Sequence, residues 1–258
     1  SAQKIIDLSG KWSFSIDRQD NGEKEKWFSH TLNDCINLPG SMPEKLKGDE
    51  VTAKTQWTGS LYDSSYYYNP YMEKYRKEGN IKFPFFLTPD KHYVGAAWYQ
   101  KEVNIPADWK GERILLFLER PHIETTVWVN GQKTGMQNSL CVPHQYDITR
   151  YVRPGKCTIT IRVDNRIKEI NVGPDSHSIT DQTQGNWNGI VGRICLQTTP
   201  KTYFDDIQIY PEPEQKLARV KVVIKGAGIT KIKLSAESFN TDKKHIAVSY
   251  THLRAHET

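Results

Sequence analysis

Apolar and polar residues alternate in short runs along most of this chain, and the runs stop at turn residues. Leu8-Ser9-Gly10-Lys11-Trp12-Ser13-Phe14-Ser15-Ile16 alternates and then meets Asp20-Asn21-Gly22, the pattern of a strand closed by a turn. Residues 98–105 alternate again and end at Pro106-Ala107-Asp108. Ile114-Leu115-Leu116-Phe117-Leu118 lies between charged flanks, as expected of a strand buried on both faces. Thr125-Thr126-Val127-Trp128-Val129 runs into Asn130-Gly131, the strongest short hairpin signal. Gln132-Lys133-Thr134 would be the return strand and Gly135 its break. Cys157-Thr158-Ile159-Thr160-Ile161-Arg162-Val163 is the cleanest alternation, and residues 190–197 give another. Helical periodicity is nearly absent. Strands this closely spaced, without helices between them, predict an all-β sandwich or barrel.

Two stretches exceed ordinary hairpin loops, about 39–95 and 164–189. Loops that long are functional or disordered as a rule. The first holds Tyr62, Tyr66, Tyr67, Tyr68, Tyr71, Tyr75, Phe83, Phe85, Phe86 and Tyr93, too many aromatics for disorder. It reads either as a carbohydrate-stacking surface or as a patch covered by another domain. Near Thr198-Thr199-Pro200 the pattern pauses. Three further strands, at 204–210, 217–224 and 232–239, read as the opening of a second sandwich. The expected organisation is a first domain over 1–200, an incomplete second one over 201–248, and a non-native tail over 249–258, where the alternation breaks.

A chain of 258 residues buries a core without metals or disulfides. No apolar run approaches the ~20 residues of a membrane span, so no membrane partner is expected. The net charge of +5 is spread among interleaved Asp and Glu, whereas a nucleic-acid partner calls for a concentrated basic face. Cys35, Cys141, Cys157 and Cys195 form no C-x-x-C pair, which excludes a zinc knuckle or thioredoxin motif. Cys157 and Cys195 read as buried small hydrophobes. No metal site and no cofactor are expected, and the phosphate-binding pattern G-x-x-x-x-G-K-[ST] is missing. Ser1-Ala2-Gln3 has no initiator Met, which fits a mature terminus or a cloned start point. The first of these implies export to the periplasm or outside the cell.

Six segments resemble, in order, the landmarks of family-2 glycoside hydrolases, the group of β-galactosidases, β-glucuronidases and β-mannosidases. They are Leu8-Ser9-Gly10-Lys11-Trp12, Leu38-Pro39-Gly40-Ser41-Met42, the strand from Trp98-Tyr99-Gln100 to Ile105-Pro106, Val127-Trp128-Val129-Asn130-Gly131, Pro143-His144-Gln145-Tyr146-Asp147-Ile148-Thr149, and Trp187-Asn188-Gly189-Ile190-Val191-Gly192-Arg193. Lys156-Cys157 departs from the family's usual Glu-Asn. The resemblance covers about residues 7–197. It implies a galactose-binding-like jelly-roll sandwich, then an immunoglobulin-like sandwich, here incomplete, then a (β/α)8 barrel with the chemistry. It also implies a retaining, β-galactosidase-like hydrolase in which two carboxyls act as acid/base and nucleophile. The family's Asn-Glu dipeptide is not in this chain, so no catalytic residue is expected here and the chain alone should be inactive. Its partners would be a β-linked glycan and the barrel, with self-association into a homo-oligomer left open.

The resemblance implies a role near the sugar for the second long loop. Asp181 is the first candidate for substrate contact, since charge-assisted hydrogen bonds to sugar hydroxyls are strong. The alternative is a loop Asp that caps a turn. Trp187 offers a stacking face or core packing. Asn165, Asn186 and His177 complete the candidate set, with bracing of the loop as the plainer role. Glu119, Glu124, Asp147 and Asp175 read as strand-end ion pairs. Two other functions fit the fold: an autonomous carbohydrate-binding module, and a structural adhesion sandwich.

Overall fold

Each expected strand of the first domain forms, and a two-residue period puts one face of the longer strands into a single core. The computed structural model describes residues 3–59, 63–85, 87–168, 173, 175–226, 228, 231–238 and 245–251. Tyr62, Phe86, Phe239 and residues 252–258, all noted in the sequence, lie outside them. The strands before the central region are β1 (Ile5–Asp7), β2 (Gly10–Asp17), β3 (Asp34–Leu38), β4 (Gly40–Ser41), β5 (Asp49–Glu50) and β6 (Lys91–His92). There follow β7 (Ala96–Ile105), β8 (Arg113–His122), β9 (Glu124–Val129), β10 (Gln132–Gln137), β11 (His144–Asp147), β12 (Gly155–Asp164) and β13 (Gly189–Thr199).

Among the described residues one sheet has the order β10-β9-β12-β7-β2-β3, and the other β1-β13-β8-β11 with β4 beside β13. Trp12, Phe14, Tyr99, Val103, Leu116, Leu118, Val127, Ile159 and Ile161 are buried in one cluster between them. Burying such side chains is worth about 1.5–3 kcal/mol each. Asn130 (φ 49°) and Gly131 (φ 76°) make the two-residue turn between β9 and β10, with both residues left-handed as the tight hairpin requires. The β10 register shifts between Lys133 and Gly135, at the predicted break. Gly189 (φ +151°) brings β13 onto β4, where a Cβ would meet the Gly40 carbonyl oxygen at 2.5 Å.

The outer face of the larger sheet has a small aromatic cluster of its own. Trp98 and Trp128 are buried there with Leu32, packed by Trp27 and Phe28. Trp98 and Trp128 stack at 4.9 Å. The buried carboxylate of Asp17 closes the turn after β2 and anchors this cluster. It accepts from Asn21 N at 2.9 Å, Gly22 N at 2.8 Å and Trp98 Nε1 at 2.9 Å. Asp17→Ala strands a buried indole N–H, and its expected cost is about 1–3 kcal/mol, read as a lowered urea midpoint at unchanged slope.

Contacts divide the chain into two units, Ala2–Thr198 and Thr199–Thr258. In the second unit β14 (Tyr203–Glu212) pairs antiparallel with β15 (Leu217–Lys225), and β16 (Ile232–Ser238) with β17 (His245–Thr251). The fourth strand was not expected. It forms because His245-Ile246-Ala247-Val248-Ser249-Tyr250 keeps a two-residue alternation, and it reaches three residues into the segment set apart as a tail. Phe204, Ile207, Ile209 and Tyr210 on β14 stay exposed. All four cysteines are free, Cys157 and Cys195 buried, Cys35 and Cys141 exposed.

Candidate functional site

The two long loops meet at one end of the sandwich, and side-chain amides stitch them to the strand ends. Asn165 follows β12 and is fully buried. Its Nδ2 donates to the Tyr93 carbonyl at 2.9 Å, and its Oδ1 accepts from Gly95 N at 2.8 Å. Asn188 precedes β13. It donates to the carbonyls of Gly95 and Val163 at 3.0 and 2.9 Å and accepts from Tyr99 Oη at 2.7 Å. Asn186 Nδ2 donates to the Asn165 carbonyl at 2.9 Å and to Thr58 Oγ1 at 3.0 Å. Such bonds replace ladder pairing where the backbone leaves the sheets.

Asp181 is the centre of this network. It is 4% exposed. Its Oδ2 accepts from Thr58 N at 2.6 Å and its Oδ1 from Asn186 N at 2.8 Å. The carboxylate thus ties the first long loop to the second and caps a turn of its own. His92 Nε2 stands 3.6 Å from Oδ2, beyond hydrogen-bond length. Trp57 roofs the pair, with its ring centroid 4.6 Å from His92, 4.8 Å from Phe83 and 5.0 Å from Phe85. Tyr66 is fully buried against Phe83, whereas Tyr67, Tyr68 and Tyr71 are exposed.

The five residues expected near a sugar therefore divide. Asp181, Asn165 and Asn186 are buried and engaged with other protein groups. His177 is exposed, and its carbonyl accepts from Thr183 Oγ1 at 2.7 Å. Trp187 is half-buried and stacks on His122, with ring centroids 4.6 Å apart and planes 21° apart. Burial lowers the His122 pKa to about 4, against an opposing contribution from the Asn186 side chain. His92, Thr58 and His122 were not singled out in the sequence. They carry no motif, and only the folded loops bring them to Asp181 and Trp187.

Six buried side-chain polar atoms among the described residues have no partner at hydrogen-bond geometry, and five are at this end: Trp57 Nε1, His92 Nε2, His122 Nε2, Gln182 Nε2 and Asn186 Oδ1. Each such atom costs about 1–3 kcal/mol if left unsatisfied. Among the described residues no group of three His, Cys, Asp or Glu side chains could hold a metal ion.

Glu119, Asp147 and Glu124, read in the sequence as strand-end ion pairs, are paired. Glu119 accepts from Arg193 N at 2.7 Å and Arg193 Nε at 3.1 Å, and both bonds hold its pKa below the ordinary value. Burial pushes Asp147 up, but Thr149 and Arg113 outweigh it and lower its pKa. Glu124 pairs with Lys168 at 3.0 Å.

Residues 5–200 match the family described as glycosyl hydrolases family 2, sugar binding domain. The chain is similar to the beta-glucuronidase of Homo sapiens, 24% identical over 274 residues that cover 95% of this chain and 36% of that protein. It is 27% identical to the beta-glucuronidase of Paenibacillus borealis over 222 residues, 80% of this chain and 31% of that one. Its fold is similar to a solved beta-glucuronidase of an uncultured Clostridium sp., with TM-score 0.62 and 19% identity, covering 96% of this chain and 39% of the other. The apo beta-glucuronidase of Ruminococcus gnavus gives TM-score 0.57 at 16% identity, covering 97% and 39%. The chain spans about a third of the length of the curated relatives it matches.

Proposed function

This chain belongs to glycosyl hydrolase family 2 through its sugar-binding domain, and from that premise we propose that it is the non-catalytic N-terminal part of a retaining β-glycosidase. It braces a (β/α)8 barrel and forms part of the wall around the substrate. The observation that carries this reading is the loop end around Asp181. Buried polar atoms without partners gather there, Trp57 Nε1 and Gln182 Nε2 among them, and a second domain or a sugar would supply the bonds. Asp181 serves by holding residues 56–58 and 181–188 in one arrangement, so that Trp187, His177 and the exposed tyrosines are presented in fixed positions.

The chemistry itself belongs outside this chain. A retaining glycosidase needs two carboxyls about 5 Å apart, one with a raised pKa. The most perturbed carboxyl here runs the other way. Burial pushes Asp164 up, but Arg166 and Lys168 prevail and hold it well below the carboxylate range. For the substrate, which the sequence leaves open among β-galactosides, β-glucuronides and β-mannosides, the relatives favour a β-glucuronide.

The test compares hydrolysis of p-nitrophenyl β-glucuronide and β-galactoside by three proteins. These are this chain, the polypeptide encoded downstream of it, and the two joined. The joined protein is expected to hydrolyse the glucuronide, and this chain neither substrate. Turnover by this chain alone would overturn the proposal, as would full activity of the downstream polypeptide without it.

A further inference from the structure

Beside the locked loops, an open cleft of about 720 Å³ lies over the ends of β8 and β13. That volume suits a small ligand. Trp187, His122, Leu140 and Val142 line it, and Gln184 and Arg120 supply polar groups. The indole of Trp187 has one face covered by the His122 ring at 4.6 Å. The part of the half-buried ring that lines the cleft is therefore backed and held in position. A rigid aromatic face beside amide and guanidinium donors is the chemistry that recognises a pyranose ring, whose C–H face is apolar and whose edge is hydroxylated.

The charge of the cleft narrows the class. Its only lining carboxylate among the described residues is Glu119, and Arg193 already engages that group through two bonds. Arg193 does not itself line the cleft, so the lining charges among the described residues are Glu119, taken up by Arg193, and Arg120. His122 is neutral at pH 7, since burial brings its pKa to about 4. Arg120 is thus the cationic group that the cleft offers a ligand. A guanidinium pairs with a carboxylate in two parallel hydrogen bonds.

We propose that this cleft is a saccharide subsite for a carboxylated pyranose, with Trp187 under the ring and Arg120 on the carboxylate. It rests on the proposed function only for its premise of a carbohydrate ligand. It concerns equilibrium binding by this chain, so it can fail while the activity test succeeds, and the reverse.

Cys141 lines the cleft and is exposed, while Cys35, also exposed, lies on β3 of the other sheet. Alkylation of the two thiols in the wild-type chain therefore reads the site against an internal control. The probes are the disaccharide of glucuronic acid β-linked to glucose and its neutral counterpart cellobiose. At millimolar concentration the acidic disaccharide is expected to slow alkylation of Cys141 several-fold, saturably, and leave Cys35 unchanged. Cellobiose is expected to act about tenfold more weakly, and Arg120→Gln to erase the difference, about 1.4 kcal/mol of selectivity. Trp187→Ala should abolish protection by both sugars, and Trp187→Phe should restore part of it in a chain with unaltered unfolding. Equal protection by the two sugars would overturn the assignment of Arg120. Protection of neither thiol, or of both alike, would overturn the subsite.

Discussion

Replacing Asp164 by alanine is expected to cost the first domain about 3–5 kcal/mol, the price of breaking a buried ion pair. Asp164 ends β12, and its side chain is fully buried. Its Oδ2 lies 2.6 Å from Arg166 Nη2, 2.8 Å from Lys168 Nζ and 3.2 Å from Arg162 Nη2, while Oδ1 accepts from Arg166 N at 3.0 Å. Arg162 is itself buried, with a side chain 8% exposed. It keeps Asp20 at 2.6 Å and Glu124 at 3.5 Å, but it loses the one fully buried anion beside it. Arg166 and Lys168 open the loop that carries Asp181 and Trp187, so the loss reaches the end of the sandwich where the two long loops meet. The measurement is urea unfolding of Asp164→Ala and Asp164→Asn, with limited proteolysis of the loop. Both variants should unfold earlier, the Ala variant by more, and both should be cut sooner after residue 164. A change under about 1 kcal/mol, the scale of a surface pair, would mean the cluster is solvated and leaves the loop to other anchors.

The frame of the first domain was legible in the chain because its strands are two-sided. Residues 157–163 alternate perfectly, and they form the centre of the larger sheet, paired with β7 throughout and with β9 from Ile159 onward. Asn130-Gly131 gave the hairpin outright, since few other pairs adopt two successive left-handed conformations. Trp98 and Trp128 were harder, because they face outward and are covered by Trp27, Phe28 and Leu32. Nothing local in Trp27-Phe28 says which face of which sheet it will cover. The fourth strand of the second unit, His245–Thr251, is not legible as a strand, because its alternation is weak and runs across the boundary at residue 249 where the pattern breaks.

The candidate site was legible as a segment and not as a geometry. Asp181, Asn165 and Asn186 were found because they sit in a long loop next to a family motif. Their burial could not be read there, since it depends on Thr58, His92 and Tyr93 arriving from more than seventy residues away. A carboxylate between two backbone N–H groups and a carboxylate offered to a sugar look the same in sequence. Only the donors at 2.6 and 2.8 Å give Asp181 an anchoring role. The same holds for Trp187, whose contact with His122 and place on the lining of a cleft are not written in its neighbours along the chain.

His122 makes the stability of this end depend on pH, and the sign follows from its burial. Its folded pKa of about 4 lies below the ordinary 6.5, so between those values the unfolded chain holds a proton that the folded chain refuses. Stability is then fully present above about pH 6.5 and is lost as pH falls toward 4, by about 3 kcal/mol from this group. His144 acts in the same direction. Burial lowers its pKa, against the Ser139 carbonyl that accepts from it at 3.0 Å. Denaturant unfolding of the wild-type chain at pH 7 and pH 4.5 should show the fall. His122→Phe keeps a ring beneath Trp187 and removes the titration, so its stability should drop less over the same interval, with the remainder due to His144 and the carboxylates. The imidazole signal of His122 should titrate near pH 4 in the folded protein. A titration near 6.5, or an unchanged pH dependence in His122→Phe, would show that the ring is solvated.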